Sequence, residues 1–318
     1  MTTPTLGIDI SKLTFDAGLL TQKKFYHRSF KNDRRGFTAL LKWLSKHPCG
    51  AIHVCLESTG VYGEKLSEFL YDHEFSVSVV NPARVRGFAQ SELTRTKTDK
   101  QDAGLIARFC AAMKPDLWSP QAKEVRELRD LVRRLETLNQ MRQQERNRLE
   151  AATDIILDAL NQHIEFITEQ INSTKDKIDE HINNHPDLKH KKALLKTIPG
   201  IGDATIGVIL SELGHIERFR SAKAVAAYMG VAPKIQQSGT ALRERGVMSK
   251  MGRKQLRKAF FMPALVALRY NPVIMELKKR LTEAGKPKML IVGAAMRKLV
   301  HIIYGVLKNN EPFRADFA

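Results

Sequence analysis

The sequence predicts an α/β domain followed by helical ones, and three observations predict it. Residues 5–20 alternate apolar and polar side chains and are rich in β-branched types, the two-residue period of strands. Helical and strand periods then take turns as far as residue 80. Between Pro120 and Pro186 there is neither Gly nor Pro, and apolar residues recur at helical spacing. At 318 residues the chain also exceeds the usual size of one compact domain. The expected division is an α/β domain at 1–152, with a helical extension from about 121, a coiled-coil segment at 153–190 and a helical domain at 191–318.

Thr5 to Leu20 reads as two strands meeting at a turn near Ser11 and Lys12, and Lys24 to Phe30 as a third that completes a meander. Phe37, Leu40, Leu41 and Leu44 give a helix over 34–46. A strand returns at Ala51 to Leu56, a helix at 62–73 and a strand at Phe75 to Val80. A meander followed by alternating helix and strand is the order of a ribonuclease-H-like sheet. Fold alone settles no chemistry.

Four carboxylates carry the chemical expectation. Leu6, Ile8 and Ile10 share one strand face, so Asp9 points the opposite way. Ile52, Val54 and Leu56 likewise leave His53, Cys55 and Glu57 on the other face. Asp99 and Asp102 lie three apart at the start of a helical stretch over 101–113, where the helix dipole favours negative charge. Singly, Asp9 reads as a turn residue, Asp99 as a helix cap, Asp102 as a first-turn acid and His53 as a packed histidine. Brought together, four carboxylates repel, and divalent cations resolve the repulsion. Magnesium suits such hard oxygen ligands, and two ions about 3.5–4 Å apart clamp the attacking and leaving oxygens of a phosphoryl transfer.

The formal net charge of +18 and a pI near 9.9 predict a polyanionic partner, with nucleic acid ahead of a membrane surface. The sequence offers no signal peptide, no lipidation signal at Met1-Thr2-Thr3 and no apolar run approaching about 18 residues. Cys49, Cys55 and Cys110 form neither a disulfide framework nor a zinc pattern, and read as small buried residues.

A single helix over residues 121–185 would span roughly 95 Å, so a bend around 153–163 is expected. Residues 164–182 keep a spacing near 3.5, which fits a short coiled coil that self-associates or an intramolecular hairpin. Further on, LLKTIPGIGDATIGVILSEL reads as a helix-hairpin-helix. Gly200 and Gly202 would let backbone amides approach a phosphate, and Asp203 would cap the second helix; a tight turn between packed helices is the plainer reading. In GVAPKIQQSGTALRERGVMSKMGRKQLRKAF, Ser238 falls in a polar stretch with no strand or helix period. Lys234, Arg243, Arg245, Lys250, Arg253, Lys254, Arg257 and Lys258 surround it against one acid, Glu244, and Arg297 and Lys298 extend the basic surface. A serine among such charges can attack a phosphodiester, although Ser-Gly by itself is usually a turn.

With these residues in place, the chain resembles a known family along nearly its whole length. The likeness runs through GIDISK, CLESTGVY, VVNPARVRGFAQSE, TKTDKQDA, LLKTIPGIG, AAYMGVAPKIQQSG, MSKMGRKQLRKAFFMPA and MRKLVHIIYGVLK. The family is that of insertion-sequence transposases that pair an N-terminal RuvC-like domain, bearing a DEDD quartet, with a C-terminal transposase domain bearing a serine: the bridge-RNA-guided recombinases. The resemblance implies that Asp9, Glu57, Asp99 and Asp102 hold Mg2+ and that Ser238 is the nucleophile. It implies a tetramer on donor and target double-stranded DNA, both paired by a structured noncoding RNA, with quartet and serine coming from different protomers. A 5′-phosphoserine link would form and a 3′-hydroxyl leave. Such a protein is expected in a bacterial-type cytoplasm, at the nucleoid and not in a membrane. A RuvC-like nuclease using water, and a non-catalytic nucleic-acid-binding protein, are the alternatives.

Overall fold

The computed structural model describes residues 3–22, 24–47, 50–58, 60–92, 98–234, 237–238, 242–243 and 247–315. The chain divides into two compact units, Met1–Pro120 and Gln121–Ala318.

In the first unit, β1 (Thr5–Ile10), β2 (Thr14–Leu20), β3 (Phe25–Lys31), β4 (His53–Glu57) and β5 (Ser76–Val80) form a five-stranded mixed sheet in the order β3-β2-β1-β4-β5. The first three pair antiparallel, and β4 and β5 continue parallel to β1. The β1–β2 turn closes where the Ser11 amide and hydroxyl both donate to the Thr14 carbonyl, at 2.9 and 2.8 Å. Helices α1 (Arg34–Leu44), α2 (Glu64–Asp72), α3 (Pro82–Ser91) and α4 (Asp99–Met113) cover the sheet. Asp33 starts α1 by accepting the Gly36 amide at 2.8 Å.

Alternation sorts the strands' side chains between two layers. Leu6, Ile8, Phe15, Val54, Leu56 and Val77 pack with Phe37, Leu40 and Trp43 of α1 and with Leu66 and Leu70 of α2. Cys55 and Val80 meet Val85 of α3 and Leu105, Ile106, Phe109 and Cys110 of α4 on the other face. Each buried side chain of this size stabilises the unit by about 1.5–3 kcal/mol. The strands and α1 fall where their periods place them. The sequence reading passed over α3, whose one buried residue is Val85 and which therefore has no apolar period to read.

Two glycines let α4 lie against the sheet. A Cβ on Gly7 would stand 2.2 Å from the Ala103 carbonyl oxygen and 2.3 Å from the Ala107 nitrogen, and one on Gly18 would stand 3.0 Å from the Ala103 carbonyl carbon. Thr5, beside Gly7, donates its hydroxyl to the Ala107 carbonyl at 2.9 Å.

In the second unit α5 (Lys123–Leu149) and α6 (Asp154–Asn184) fold back on each other across residues 150–153, just ahead of the expected bend. His181 near the end of α6 bonds the Glu124 carbonyl at the start of α5 at 2.7 Å, while Leu135 and Leu138 meet Ile167 and Ile171. The apolar seam of 164–182 is thus covered within the chain, as a hairpin. Ile171 is fully buried in it, so Ile171→Ala is expected to cost about 2–5 kcal/mol in chemical denaturation; a loss under about 0.5 kcal/mol would show the seam to be loosely packed.

The unit continues through α7 (Pro186–Lys196), α8 (Asp203–Leu213), α9 (Ala222–Met229), β6 (Pro233–Lys234), β7 (Gln237–Ser238), β8 (Leu242–Arg243), β9 (Val247–Met248), α10 (Lys254–Ala259), α11 (Phe261–Tyr270), α12 (Pro272–Glu283) and α13 (Lys288–Asn309). Where the sequence showed no strand period, two short ladders form, β6 with β9 and β7 with β8. Two-residue strands have no period to show. By length and composition α13 is apolar enough to cross a membrane, although no such run was expected. Ile291, Val292, Ala295, Met296, Leu299, Val300, Ile303 and Val306 are buried in this unit's main core, which accounts for that composition.

Candidate active site

Asp9 is half-buried on the face of β1 that meets α4, opposite the face of Leu6, Ile8 and Ile10. Helix α4 begins beside it because Thr98, in extended conformation, caps the helix and accepts the Gln101 amide at 3.3 Å. Thr98 therefore takes the capping role that the sequence offered to Asp99. Asp99 and Asp102 are both in the first turn, Asp99 exposed and Asp102 half-buried. The close approach of α4 at Gly7 carries them toward Asp9. Burial, first, and then the charges of Asp102, Asp99 and Asp16 push the Asp9 carboxyl above the usual carboxylate range, against a lowering hydrogen bond from the Ile10 amide.

Glu57 arrives by register. Ile8 pairs with Leu56 in the parallel β1–β4 ladder, so the next residue of β4, Glu57, stands at Asp9's level one strand over. All four side chains offer hard oxygen donors of the kind magnesium takes. Crowding of carboxylates around Asp9 is of the kind that a divalent cation relieves. Among the described residues, as they are placed, no three His, Cys, Asp or Glu side chains stand close enough to share one ion. The donor chemistry and the charge of these side chains are of the kind a hard divalent cation takes.

Asp16 went unread in the sequence. It is directly opposite Asp9 in the β1–β2 ladder and is buried. The alternation that singled out Asp9 in β1 also singles out Asp16 in β2, between Phe15 and Ala17 of the core face. His53 is packed, as expected, with Nε2 2.8 Å from the Ser78 hydroxyl. Cys55 and Cys110 are buried free thiols, while Cys49 lies outside the described residues.

The basic residues belong to the second unit. Ser238 sits in β7 with its backbone paired to Leu242; its side chain and that of Arg243 lie outside the described atoms, and Glu244 and Arg245 outside the described residues. Lys250, Lys254 and Lys258 are exposed. Arg257 donates to the Lys250 carbonyl at 3.2 Å. Arg253 is engaged within the fold, its Nη1 2.6 Å from Glu212 Oε2 of α8 and its guanidinium 5.3 Å from the Tyr228 ring centre. At the helix-hairpin-helix, Gly200 has φ +102° and its missing Cβ would meet that of Ala267 at 2.9 Å, so the turn packs on α11. Gly202, not Asp203, caps α8, is exposed and has open space at its Cβ; Asp203 pairs instead with Lys196 at 3.1 Å.

Comparison with known proteins bears on both units. Residues 6–182 match a family described as a transposase, the DEDD transposase of the IS110 type, and residues 192–279 match one described as transposase IS116/IS110/IS902 family. The pilin gene-inverting proteins of Moraxella bovis and Moraxella lacunata are each 37% identical over 311 residues, 97% of this chain and 97% of theirs. A transposase for insertion sequence element IS1328 of Yersinia enterocolitica is 31% identical over 103 residues, 32% of this chain and 29% of its own. With matches to the family's two characteristic regions across most of its length, the chain belongs to the IS110 family of transposases.

Proposed function

We propose that the protein is a magnesium-dependent DNA recombinase that cuts and rejoins strands through a serine–phosphate link. The carrying observation is the convergence of Asp99 and Asp102 on Asp9, with Glu57 at the same level of the sheet, in a chain whose family matches span both units. The five-strand order is consistent with a RuvC-like domain. The names of the Moraxella relatives, which speak of inverting a gene, support strand rearrangement over plain degradation.

In this reading Asp9, Glu57, Asp99 and Asp102 hold Mg2+, which when bound supplies positive charge to the scissile phosphate. Ser238 Oγ attacks that phosphorus and gives up its proton. The O–P bond forms as the P–O3′ bond breaks, and the leaving 3′-oxygen takes up a proton. One phosphodiester is exchanged for another, so attack by a different 3′-hydroxyl reseals DNA without an external energy source. The family resemblance adds a guide RNA paired to donor and target DNA, and a tetramer in which serine and quartet come from different protomers. Exposed Lys250, Lys254 and Lys258 are suited to phosphate contact, each contributing to a salt-dependent affinity. Gly202 at the open start of α8 is suited to the same contact.

The test is to incubate the protein with Mg2+, end-labelled donor DNA and the noncoding RNA flanking its reading frame, comparing wild type with Ser238→Ala. The expected result is a protease-sensitive protein–DNA adduct in wild type alone. Free ends with both proteins would point to a nuclease using water. Binding without cleavage by either would leave a nucleic-acid-binding protein.

A further inference from the structure

We propose that Asp16 is a fifth carboxylate of the metal site, fixed by His27 and Ser29 so that it faces the ion from β2, opposite Asp9. The inference rests on reading Asp9 and its partners as magnesium-binding, and extends that site beyond its four expected acids.

Residues directly opposite in an antiparallel pair stand on the same face with Cβ atoms about 4.5–5.5 Å apart, and like charges there are destabilising. Asp9 and Asp16 are such a pair. Asp16 is only 8% exposed, so solvent does little to screen it. Two like charges so placed call for a counter-charge.

Its hydrogen bonds show how it is held. His27 Nε2 lies 2.8 Å from Asp16 Oδ1, and Ser29 donates its hydroxyl to the same oxygen. An ionised carboxylate only accepts, so the Nε2 of His27 carries the proton in this contact. Both donors come from β3, on the side of β2 away from β1. Neither takes Oδ2. One oxygen is thus anchored away from Asp9 while the other remains for a hard cation or its hydration water. Donors that orient a carboxylate from behind are the usual support of a metal site.

A plainer role is that Asp16 only pins β2 to β3 through His27 and Ser29. The two are separated by metal affinity, with Mn2+ as the probe because its free form is counted directly by electron paramagnetic resonance. The full-length chain would be titrated as wild type, Asp9→Asn, Asp16→Asn and Ser29→Ala, with melting measured in chelator and in Mg2+. Asp16→Asn is expected to weaken Mn2+ binding about tenfold, in the range known for supporting groups, and to shrink the Mg2+-induced rise in Tm. Ser29→Ala keeps the carboxylate but loosens it, and should weaken binding severalfold; it decides the matter if Asp16→Asn fails to fold. If Asp9→Asn loses Mn2+ while folded Asp16→Asn or Ser29→Ala binds within twofold of wild type, Asp16 is a strand pin and the proposal is overturned. If Asp9→Asn also binds like wild type, or wild type binds no Mn2+, the metal reading of the quartet itself fails and this inference falls with it.

Discussion

Asp9→Asn is expected to abolish strand cleavage while making the metal-free protein more resistant to heat than wild type. Asp9 gathers the repulsion of Asp102, Asp99 and Asp16 on a half-buried carboxylate, and an amide of the same shape removes it. Activity should fall by more than about a hundredfold, because even groups that support a metal ligand from outside are worth about 10–100-fold. The sign of the pH dependence follows. A carboxyl raised in the folded state binds its proton more readily there than in the unfolded chain. Its destabilising effect is absent below the unfolded value, near 3.8, and complete above the raised folded one. In chelator, the wild-type advantage of moving from neutral pH down through that window should therefore be larger than that of Asp9→Asn. Mg2+ should restore the wild type's standing at neutral pH and do little for the variant. Paired melts with and without chelator measure all of this. A metal-free variant that melts below wild type would show that Asp9 is held by contacts worth more than the repulsion.

Gly7→Ala is the other large effect. The new methyl would meet backbone, the Ala103 carbonyl and the Ala107 amide, within 2.3 Å, and backbone in the middle of a helix cannot swing aside as a side-chain tip does. Helix α4 must shift bodily or the strand must bend. Overpacking of this sort costs about 1–3 kcal/mol or more. In a unit of this size each kcal/mol lowers Tm by about 3–5 °C. The shift also carries Asp99 and Asp102 away from Asp9, so cleavage should be lost even in the fraction that folds. Gly87→Ala is the control: nothing lies within 4 Å of its Cβ in α3, and alanine should stabilise that helix by about 0.5–1 kcal/mol. Equal Tm values for Gly7→Ala and wild type would show that α4 is not held against β1 as described.

The strands of the first unit, and the face each side chain takes, were legible because Leu6, Ile8, Ile10, Val54 and Leu56 alternate, and a two-residue period allows one choice of face. Contacts set by partners far along the chain were not legible. Nothing in TKTDKQDA tells that Asp99 and Asp102 ride on a helix whose backbone touches Gly7. Asp16 shows the same limit: its face follows from alternation, but its holders lie 11 and 13 residues onward and are found only through the β2–β3 register. The spacing of Ile167, Ile171, Ile178 and Ile182 announced a buried seam without saying what covers it, and α5 of the same chain does. Thr98 displaced Asp99 as the cap because both residue types suit that position and only the extended backbone at Thr98 decides. Ser238 was singled out by resemblance; its immediate sequence reads as a turn.

The placement of α13 in the core orders events during synthesis. Val125 and Leu128 of α5 share one cluster with Ile291, Leu299 and Ile303 of α13, across more than 160 residues of chain. The sheet and its covering helices, by contrast, are all present once α4 ends at Met113. As the chain emerges from the ribosome, the first unit can close early, while the second waits for its last helix. Its exposed apolar surface then persists longest at the moment of release, and a stop codon ahead of Lys288 would yield a chain with the sheet folded and the second unit unfinished.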